Sequence, residues 1–584
     1  MPAIETLDLQ REYPARRGPG LRAVDGIDIA VEPGEVYGFL GPNGAGKTTT
    51  VRMLVTLLQP TGGRATVAGF DVATEPAEVR KRIGVALQAA ALDLLMTGRE
   101  MLVLAATLHG IPRERVDDRG AQLLERVGLS AAADRRVGTY SGGMQRRLDL
   151  AMALIHEPEV LFLDEPTTGL DPTSRLTLWE EVRRLRDEGT TVFLTTQYLE
   201  EADQLADRVG IIARGKIVAE GTPSALKAEV GLPHLDVTLA GEDHRDAARA
   251  VLARFGDGRP PTNECDLSVA LPDGSAGLAP HRARARRGRR EDRVAGRQGA
   301  NAGRRVPRED RRAPRRRRRS RARAGARGVI RASVALMRRA LRNAFRRPQF
   351  LAPLVVFPTL FLAVNTGGLQ ATTGLPGFPE VNSFLDFQLA SAICQSTMLG
   401  GVSAGIAMAL DIEAGFFDRL VVSPIPRTAV VLGRVGAAGV LGALQALWFL
   451  AIGFIFGAEM AAGPGGVLVV IALGVISALA FGSFGVLIAL RAKSASTVQG
   501  IFPLVIVALF LSSAFFPAEL LASPADVIAE YNPISYVAEA LREPIAFGWD
   551  ATIIIEGFVA GIAMAIIGTG LAIYALRGRL RAAR

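Results

Sequence analysis

The run Gly41-Pro42-Asn43-Gly44-Ala45-Gly46-Lys47-Thr48 follows a short apolar stretch at 36–40 and opens a segment of helical character from Thr49 onward. Strand, glycine loop and helix in that order restrict the first part of the chain to an α/β fold built around a phosphate-binding loop. The glycines let the backbone curl so that several N–H groups point inward at phosphate oxygens, with the positive end of the next helix behind them. Lys47 then reaches the β and γ phosphates of ATP as a point charge, and Thr48 offers its hydroxyl to Mg2+. Thr49 completes the expected phosphate-binding set, 41–49.

A second stretch, Val160-Leu161-Phe162-Leu163-Asp164-Glu165, is an uncharged apolar strand that ends in two acids. A buried parallel strand delivering carboxylates at its C-terminal end is where an open α/β sheet places ligands. Asp164 suits the Mg2+ shell, and Glu165 suits the base that polarises the attacking water. Taken alone this is equally a strand ending in a polar turn; its company with 41–48 favours catalysis.

Between them lies Tyr140-Ser141-Gly142-Gly143-Met144-Gln145-Arg146-Arg147, a Ser-Gly-Gly turn that opens a helix and makes a second anion-binding end. One loop and one such turn per chain suggest a nucleotide clamped between two copies. In the order and spacing of these motifs, residues 1–230 resemble the ATPase domain of ABC transporters. The resemblance implies that Tyr13 stacks on adenine and that Gln88 links the Mg2+ site to a membrane domain. It implies that Ser141, Gly142, Gly143 and Gln145 form a signature turn across the dimer, in which Ser141 and Gly143 contact the γ-phosphate held by the other subunit, and that Asp171 lies in the loop joining the two sites of a homodimer. Read in isolation, Gln88 and Asp171 are ordinary surface residues. Most family members have a histidine where this chain has Gln197, whose amide donates one hydrogen bond to the γ-phosphate but does not titrate near neutrality. That glutamine resembles the daunorubicin/doxorubicin-resistance branch of antibiotic exporters.

At 584 residues the chain exceeds what one hydrophobic core can organise. Four parts are expected: the ATPase domain 1–230, a small accessory α/β segment 231–280, an arginine-rich linker 281–328 and a membrane domain 329–584. The accessory segment alternates like strands near 237–239 and 267–271, with a helix expected at 246–255. The net charge of +10 is concentrated: 282–327 is dominated by arginine and holds no Phe, Tyr, Trp, Leu or Ile. Such a segment lacks the side chains for a core and is expected to be disordered. It reads as a plain linker or out-of-frame coding, as a polybasic contact with anionic lipid, or as a nucleic-acid arm, the last without interleaved aromatics. Cys265 and Cys394 form no disulfide or metal pattern, and no cleavable signal opens the chain.

Apolar spans at 350–369, 390–410, 435–457, 467–490, 498–516 and 553–576 are each near the roughly 20 residues that cross a bilayer as helix. Arginines flank alternate connections: Arg338 to Arg347 before the first span, Arg419, Arg427 and Arg434 after the second, Arg491 after the fourth and Arg577 onward after the last. The positive-inside rule puts both termini and the ATPase in the cytosol. No span has a charge near its middle, which disfavours a proton relay; Gln395, Ser396, Thr397 and Gln445 either line a path or pack helices. The connection 411–426 carries Gly415, Phe416, Phe417 and Leu420 and resembles the signature loop of the second class of ABC export permeases. It is expected to dock near Gln88; otherwise it is an interfacial amphipathic helix.

The fold class is thus an α/β P-loop NTPase of ABC type fused to an all-α polytopic membrane domain with six transmembrane helices. The expected function is ATP-driven export of a hydrophobic drug or antibiotic across a bacterial cytoplasmic membrane by a homodimer in the lipid bilayer. Alternatives are export of a lipid or lipid-linked glycan, and a repair or translation ATPase acting on nucleic acid.

Overall fold

The structure is a computed structural model. It describes residues 1–14 and 20–230, three strands at 234–238, 258–259 and 266–270, and residues 314–582 except 375, 377 and 493. Its first strands are β1 (Ile4–Tyr13), β2 (Leu21–Val31), β3 (Val36–Leu40), β4 (Gly62–Val67), β5 (Phe70–Asp71) and β6 (Ile83–Ala86). Then come β7 (Val160–Asp164), β8 (Thr191–Thr196), β9 (Arg208–Ala213) and β10 (Lys216–Gly221). They make an antiparallel sheet ordered β2-β1-β4-β5 and a larger one ordered β10-β9-β3-β8-β7-β6, parallel except for β10. Every residue of β3, β7 and β8 is buried, as continuous apolar runs in a sheet covered on both faces must be.

This order decides the site. The parallel strands end on one edge, and β8 lies between β3 and β7, so its last residues emerge between the glycine loop and the paired acids. The helices around the sheets are α1 (Lys47–Leu54), α2 (Pro76–Arg82), α3 (Gly98–Leu108), α4 (Arg113–Arg126), α5 (Gly142–Ala153), α6 (Pro172–Asp187), α7 (Leu199–Leu205) and α8 (Pro223–Val230). α3 begins with a full capping box, Thr97 with Glu100.

In the accessory segment β11 (His234–Thr238), β12 (Gly258–Arg259) and β13 (Asp266–Ala270) form a sheet ordered β11-β13-β12. The helix expected at 246–255 lies outside the described residues.

The expectation of disorder throughout 281–328 fails in its last part. Helix α9 (Pro314–Arg346) begins inside it and runs without a break to the membrane domain; 281–313 lie outside the described residues. Proline suits a first helical turn, and Arg and Ala are strong helix formers. In proteins most helical stability comes from packing rather than propensity. The C-terminal half supplies the anchor: Ala332, Leu336 and Ala340, four apart, are buried against the protein.

The membrane domain contains α10 (Pro348–Leu369), α11 (Phe384–Glu413), α12 (Phe416–Val422), α13 (Thr428–Ile455), α14 (Gly463–Arg491), α15 (Ala495–Gln499), α16 (Phe502–Phe510), α17 (Ala525–Tyr531), α18 (Pro533–Arg542) and α19 (Ala551–Ala582). Among the described residues, five helical spans are long and apolar enough to cross a bilayer: Leu351–Gly374, Phe384–Glu413, Thr428–Ile455, Gly463–Arg491 and Ala551–Leu580. The sixth expected span, 498–516, is corrected. It is interrupted at Gly500 and Ile501, and Pro503 has no N–H to continue the ladder. α16, at nine residues, reaches only about 13 Å. The broken segment runs alongside α11: Ala495 N–H donates to Glu413 at 2.7 Å near one end, and the Ser391 hydroxyl donates to the Ala514 carbonyl near the other.

α11 and α14 cross at glycines. A β-carbon on Gly405 would lie 2.6 Å from the Gly485 carbonyl oxygen, and one on Gly485 would lie 2.0 Å from that of Gly401. Small residues allow such backbone approach where apolar burial gives no drive between helices.

Candidate functional site

The loop after β3 takes its shape at Gly44 (φ 79°) and Gly46 (φ 115°), in the left-handed region that a side chain disfavours. Pro42, Asn43 and Gly44 form its exposed tip, and Ala45 and Gly46 are buried beneath. A β-carbon on Gly41 would sit 2.4 Å from the Ile212 carbonyl, so β9 crowds the loop from one side. Thr48 and Thr49 are half-buried on the first turn of α1. The buried Lys47 ammonium donates to the carbonyls of Gly41 (2.7 Å) and Pro42 (3.2 Å) and lies 3.3 Å from Glu165 Oε1.

Asp164 and Glu165 face this loop in different ways. Asp164 Oδ1 accepts the Thr195 hydroxyl, Thr48 also hydrogen-bonds this carboxylate, and Oδ2 is buried without a partner. Burial pushes its carboxyl above the ordinary range, opposed by the Thr195 bond. A buried carboxylate oxygen left open beside a threonine hydroxyl is a hard-oxygen pair that fits Mg2+, an ion that keeps water and phosphate in most of its shell. Glu165 is a non-glycine residue at φ 48°, held there because its N–H donates to both the carbonyl (3.1 Å) and the hydroxyl (3.0 Å) of Thr195. Its carboxylate therefore lies between Lys47 and the Gln88 amide, which donates at 3.1 Å. Gln88 thus sits against the Glu165 carboxylate, next to Asp164. Gln197 follows β8 directly and is half-buried on the same edge.

Tyr13 ends β1 opposite Leu21, with the Arg11 guanidinium 4.7 Å over its ring. Two residues along β2 from Leu21, the Ala23 carbonyl would be 2.5 Å from a β-carbon on Gly46, so this sheet abuts the loop. Ser141 caps α5 by accepting the Met144 N–H at 3.3 Å, and Ser141 and Gly142 are exposed. A β-carbon on Gly143 would lie 2.4 Å from Ser174 Oγ and 3.6 Å from Asp171 Oδ1, while Asp171 caps α6 through Ser174 N–H at 3.0 Å. The signature turn and the Asp171 loop thus share one surface. Among the described residues no hydrogen bond or ion pair joins Ser141 or Gly142 to 41–48. Gln145 reaches the carbonyls of Val137 and Tyr140 at 3.4 Å, bracing the turn from inside.

Sequence reasoning assigned no role to Arg146. It is buried, and it donates to the carbonyls of Asp164 (2.9 Å), Pro166 (3.0 Å) and Leu87 and to the Asp149 carboxylate (3.2 Å). The signal was available: Gly143, Arg146, Leu150 and Ala153 form the inward stripe of α5, and a guanidinium on such a stripe must find acceptors.

Beneath the nucleotide edge a groove walled by Val85, Leu87, Leu104, Leu108, Met152 and His156 receives α12. Gly415 (φ 73°) turns the chain into it, and Phe416, Phe417 and Leu420 are 2%, 3% and 4% exposed. Arg419 pairs with fully buried Asp149, whose other oxygen Arg146 holds. Contacts therefore run without interruption from Asp164 through Arg146 and Asp149 to Arg419 on the membrane domain.

Residues 24–168 match the family model described as ABC transporter, and residues 331–545 the one described as ABC-2 type transporter. The daunorubicin resistance ATP-binding protein DrrA2 of Streptomyces coeruleorubidus is 53% identical over 251 residues, 43% of this chain and 78% of that protein. The chain belongs to the ABC transporter superfamily. A second relative, the daunorubicin/doxorubicin resistance ATP-binding protein DrrA of Streptomyces peucetius, is 52% identical over 255 residues, 44% of this chain and 76% of its own. The Nod factor export ATP-binding protein I of Burkholderia orbicola (strain AU 1054) is 44% identical over 215 residues, 37% of this chain and 71% of its own. This ABC protein is an ATP-hydrolysing transporter that joins its ATPase and a multi-pass ABC-2 permease in one chain.

Proposed function

We propose that this ABC transporter exports a hydrophobic drug or antibiotic across the cytoplasmic membrane as a homodimer, with both termini and the ATPase in the cytosol. The observation that carries it is the continuous path from Asp164 to Arg419, which ties the ATP edge to a permease helix seated in the ATPase. In this reading ATP is held by 41–49 of one copy and by Ser141, Gly142 and Gly143 of the other, with Tyr13 under the adenine. Lys47 holds the β and γ phosphates, Gln197 donates to the γ-phosphate, and Glu165 takes up the proton of the attacking water. Thr48 and Asp164 would hold Mg2+, which neutralises phosphate charge when bound. Asp171 senses closure beside Gly143. Closure shifts α12 through Leu87, Gln88 and the Arg146 bonds, and the permease turns from inward to outward access.

Drug resistance is what the names of the two Streptomyces relatives describe, and their identity to this chain exceeds that of the Nod factor export ATP-binding protein I. The permease match weighs against a nucleic-acid ATPase. In reconstituted full chain, an anthracycline should stimulate ATP hydrolysis and a lipo-oligosaccharide should not. Stimulation by the lipo-oligosaccharide alone would transfer the assignment to the glycan class.

A further inference from the structure

On α7, Leu199 and Glu200 face solvent, whereas Glu201 turns inward and is 1% exposed. A carboxyl buried in this way needs donors, and Glu201 meets them on three segments of the ATP edge. The indole N–H of Trp179, on the helix α6 that follows the Asp171 loop, donates to Oε1 at 3.2 Å. The hydroxyls of Thr196 and Thr167 lie against the same carboxyl and stabilise its charge. Both threonines are buried, and neither Thr167 Oγ1 nor Glu201 Oε2 has a partner elsewhere. Burial pushes the Glu201 carboxyl above the ordinary range, and Thr196, Thr167 and Trp179 oppose that shift.

The two threonines flank the proposed reaction. Thr167 is two residues after Glu165, inside the turn that the Thr168 N–H closes on the Glu165 carbonyl at 3.3 Å. Thr196 ends β8 directly before Gln197, and its hydroxyl accepts the Tyr198 N–H at 3.0 Å, so the turn that carries Gln197 is closed by the Thr196 side chain. A hydroxyl so engaged still has its own proton to donate, and Glu201 takes it. The Thr196 carbonyl in turn accepts the Gly41 N–H at 3.3 Å, at the start of the phosphate loop. We infer that Glu201 is a positioning residue for ATP hydrolysis: it fixes the Thr196-Gln197-Tyr198 turn against the turn after Glu165, and so sets the Gln197 amide relative to the Glu165 carboxylate. A role confined to the core would need only an acceptor for Trp179, whereas the two hydroxyls tie this carboxyl to both turns. The inference rests on the proposed contact of Gln197 with the γ-phosphate.

The test is a double-variant cycle in ATP hydrolysis by the purified full chain. Glu201→Gln keeps the volume but puts an amide nitrogen among these donors. Misplacing a reacting group by about 1 Å costs about 100-fold, so this variant should lower kcat by about 10- to 100-fold with KM for ATP unchanged. Gln197→Ala should also lower kcat, and Glu201→Gln added to it should lower kcat no further, since residues that act through one another are not additive. Thr196→Val, of the same shape without the hydroxyl, should behave as Glu201→Gln does in the same cycle, and it carries the test where Glu201→Gln does not fold. Thermal midpoints establish which proteins are folded. Losses that multiply in the double variant, a raised KM at wild-type kcat, or a lowered midpoint at wild-type kcat would overturn the inference. A Gln197→Ala protein at the wild-type rate is a different failure: it removes Gln197 from the proposed mechanism, and this inference with it.

Discussion

Glu165 is fixed by its backbone as much as by its side chain, since the strained φ depends on the two bonds to Thr195. Glu165→Gln keeps the shape and one acceptor oxygen but removes the base and turns a donor nitrogen toward one of the two donors on that carboxylate, Lys47 or Gln88. It should lower steady-state hydrolysis by about 10²–10⁴-fold while retaining ATP binding. Lys47→Ala should fail differently, losing about 1.5–3 kcal/mol of nucleotide affinity with the loss of a charged donor. Nucleotide titration beside turnover measurement separates the two, and an E165Q protein hydrolysing near the wild-type rate would remove Glu165 from the reaction. Arg146→Met poses a structural question: it strips three carbonyls and part of Asp149 of a buried donor, and breaking such a pair costs about 3–5 kcal/mol. Its signature is a lowered thermal midpoint, read by calorimetry of the full chain.

The helix α12 and its groove carry the next predictions. Truncating a fully buried phenylalanine costs about 3–5 kcal/mol, so Phe416→Ala should loosen docking. Basal ATP hydrolysis should persist and its stimulation by cargo should disappear. Two histidines in the groove wall give the element a pH dependence. His109 and His156 stack at 3.9 Å, and burial lowers them to about 4 and about 3, against roughly 6.5 when unfolded. The unfolded chain therefore binds more protons in this window. The stability they contribute is complete above about 6.5 and falls as pH drops toward the folded values. His109→Gln with His156→Gln should flatten the melting temperature against pH between 4 and 6.5; an unchanged slope would assign it elsewhere. What the sequence told of these elements depended on how local the signal was. The glycine loop, the acid-tipped β7, the signature turn and the apolar side of α12 are spelled by neighbouring residues, and all were legible. The break in 498–516 was not, because hydropathy averages over Gly500 and Pro503 as though they were ordinary span residues. The start of α9 was missed because an arginine run signals solvation and hides helix propensity, which the buried Ala332, Leu336 and Ala340 then stabilise. Arg146 had no assigned role until the pitch of α5 placed it inside.

At the scale of the molecule, no hydrogen bond or ion pair among the described residues joins Ser141 or Gly142 to 41–48, and the proposed mechanism uses two copies for each pair of ATP sites. E165Q with ATP should double in mass on size analysis, and Ser141→Arg should prevent this. The arginine-rich residues 281–313 lie outside every element of the proposed mechanism, and a Gly/Ser chain of equal length in their place should leave transport intact. The central claim is that hydrolysis at Glu165 moves a hydrophobic drug through this same chain. The most direct measurement is anthracycline accumulation in inside-out vesicles containing only the purified protein. The account predicts uptake that needs ATP, is absent with E165Q and falls strongly with Phe416→Ala, although that variant still hydrolyses ATP. Equal uptake by wild type and E165Q, or wild-type hydrolysis with no uptake, would contradict it.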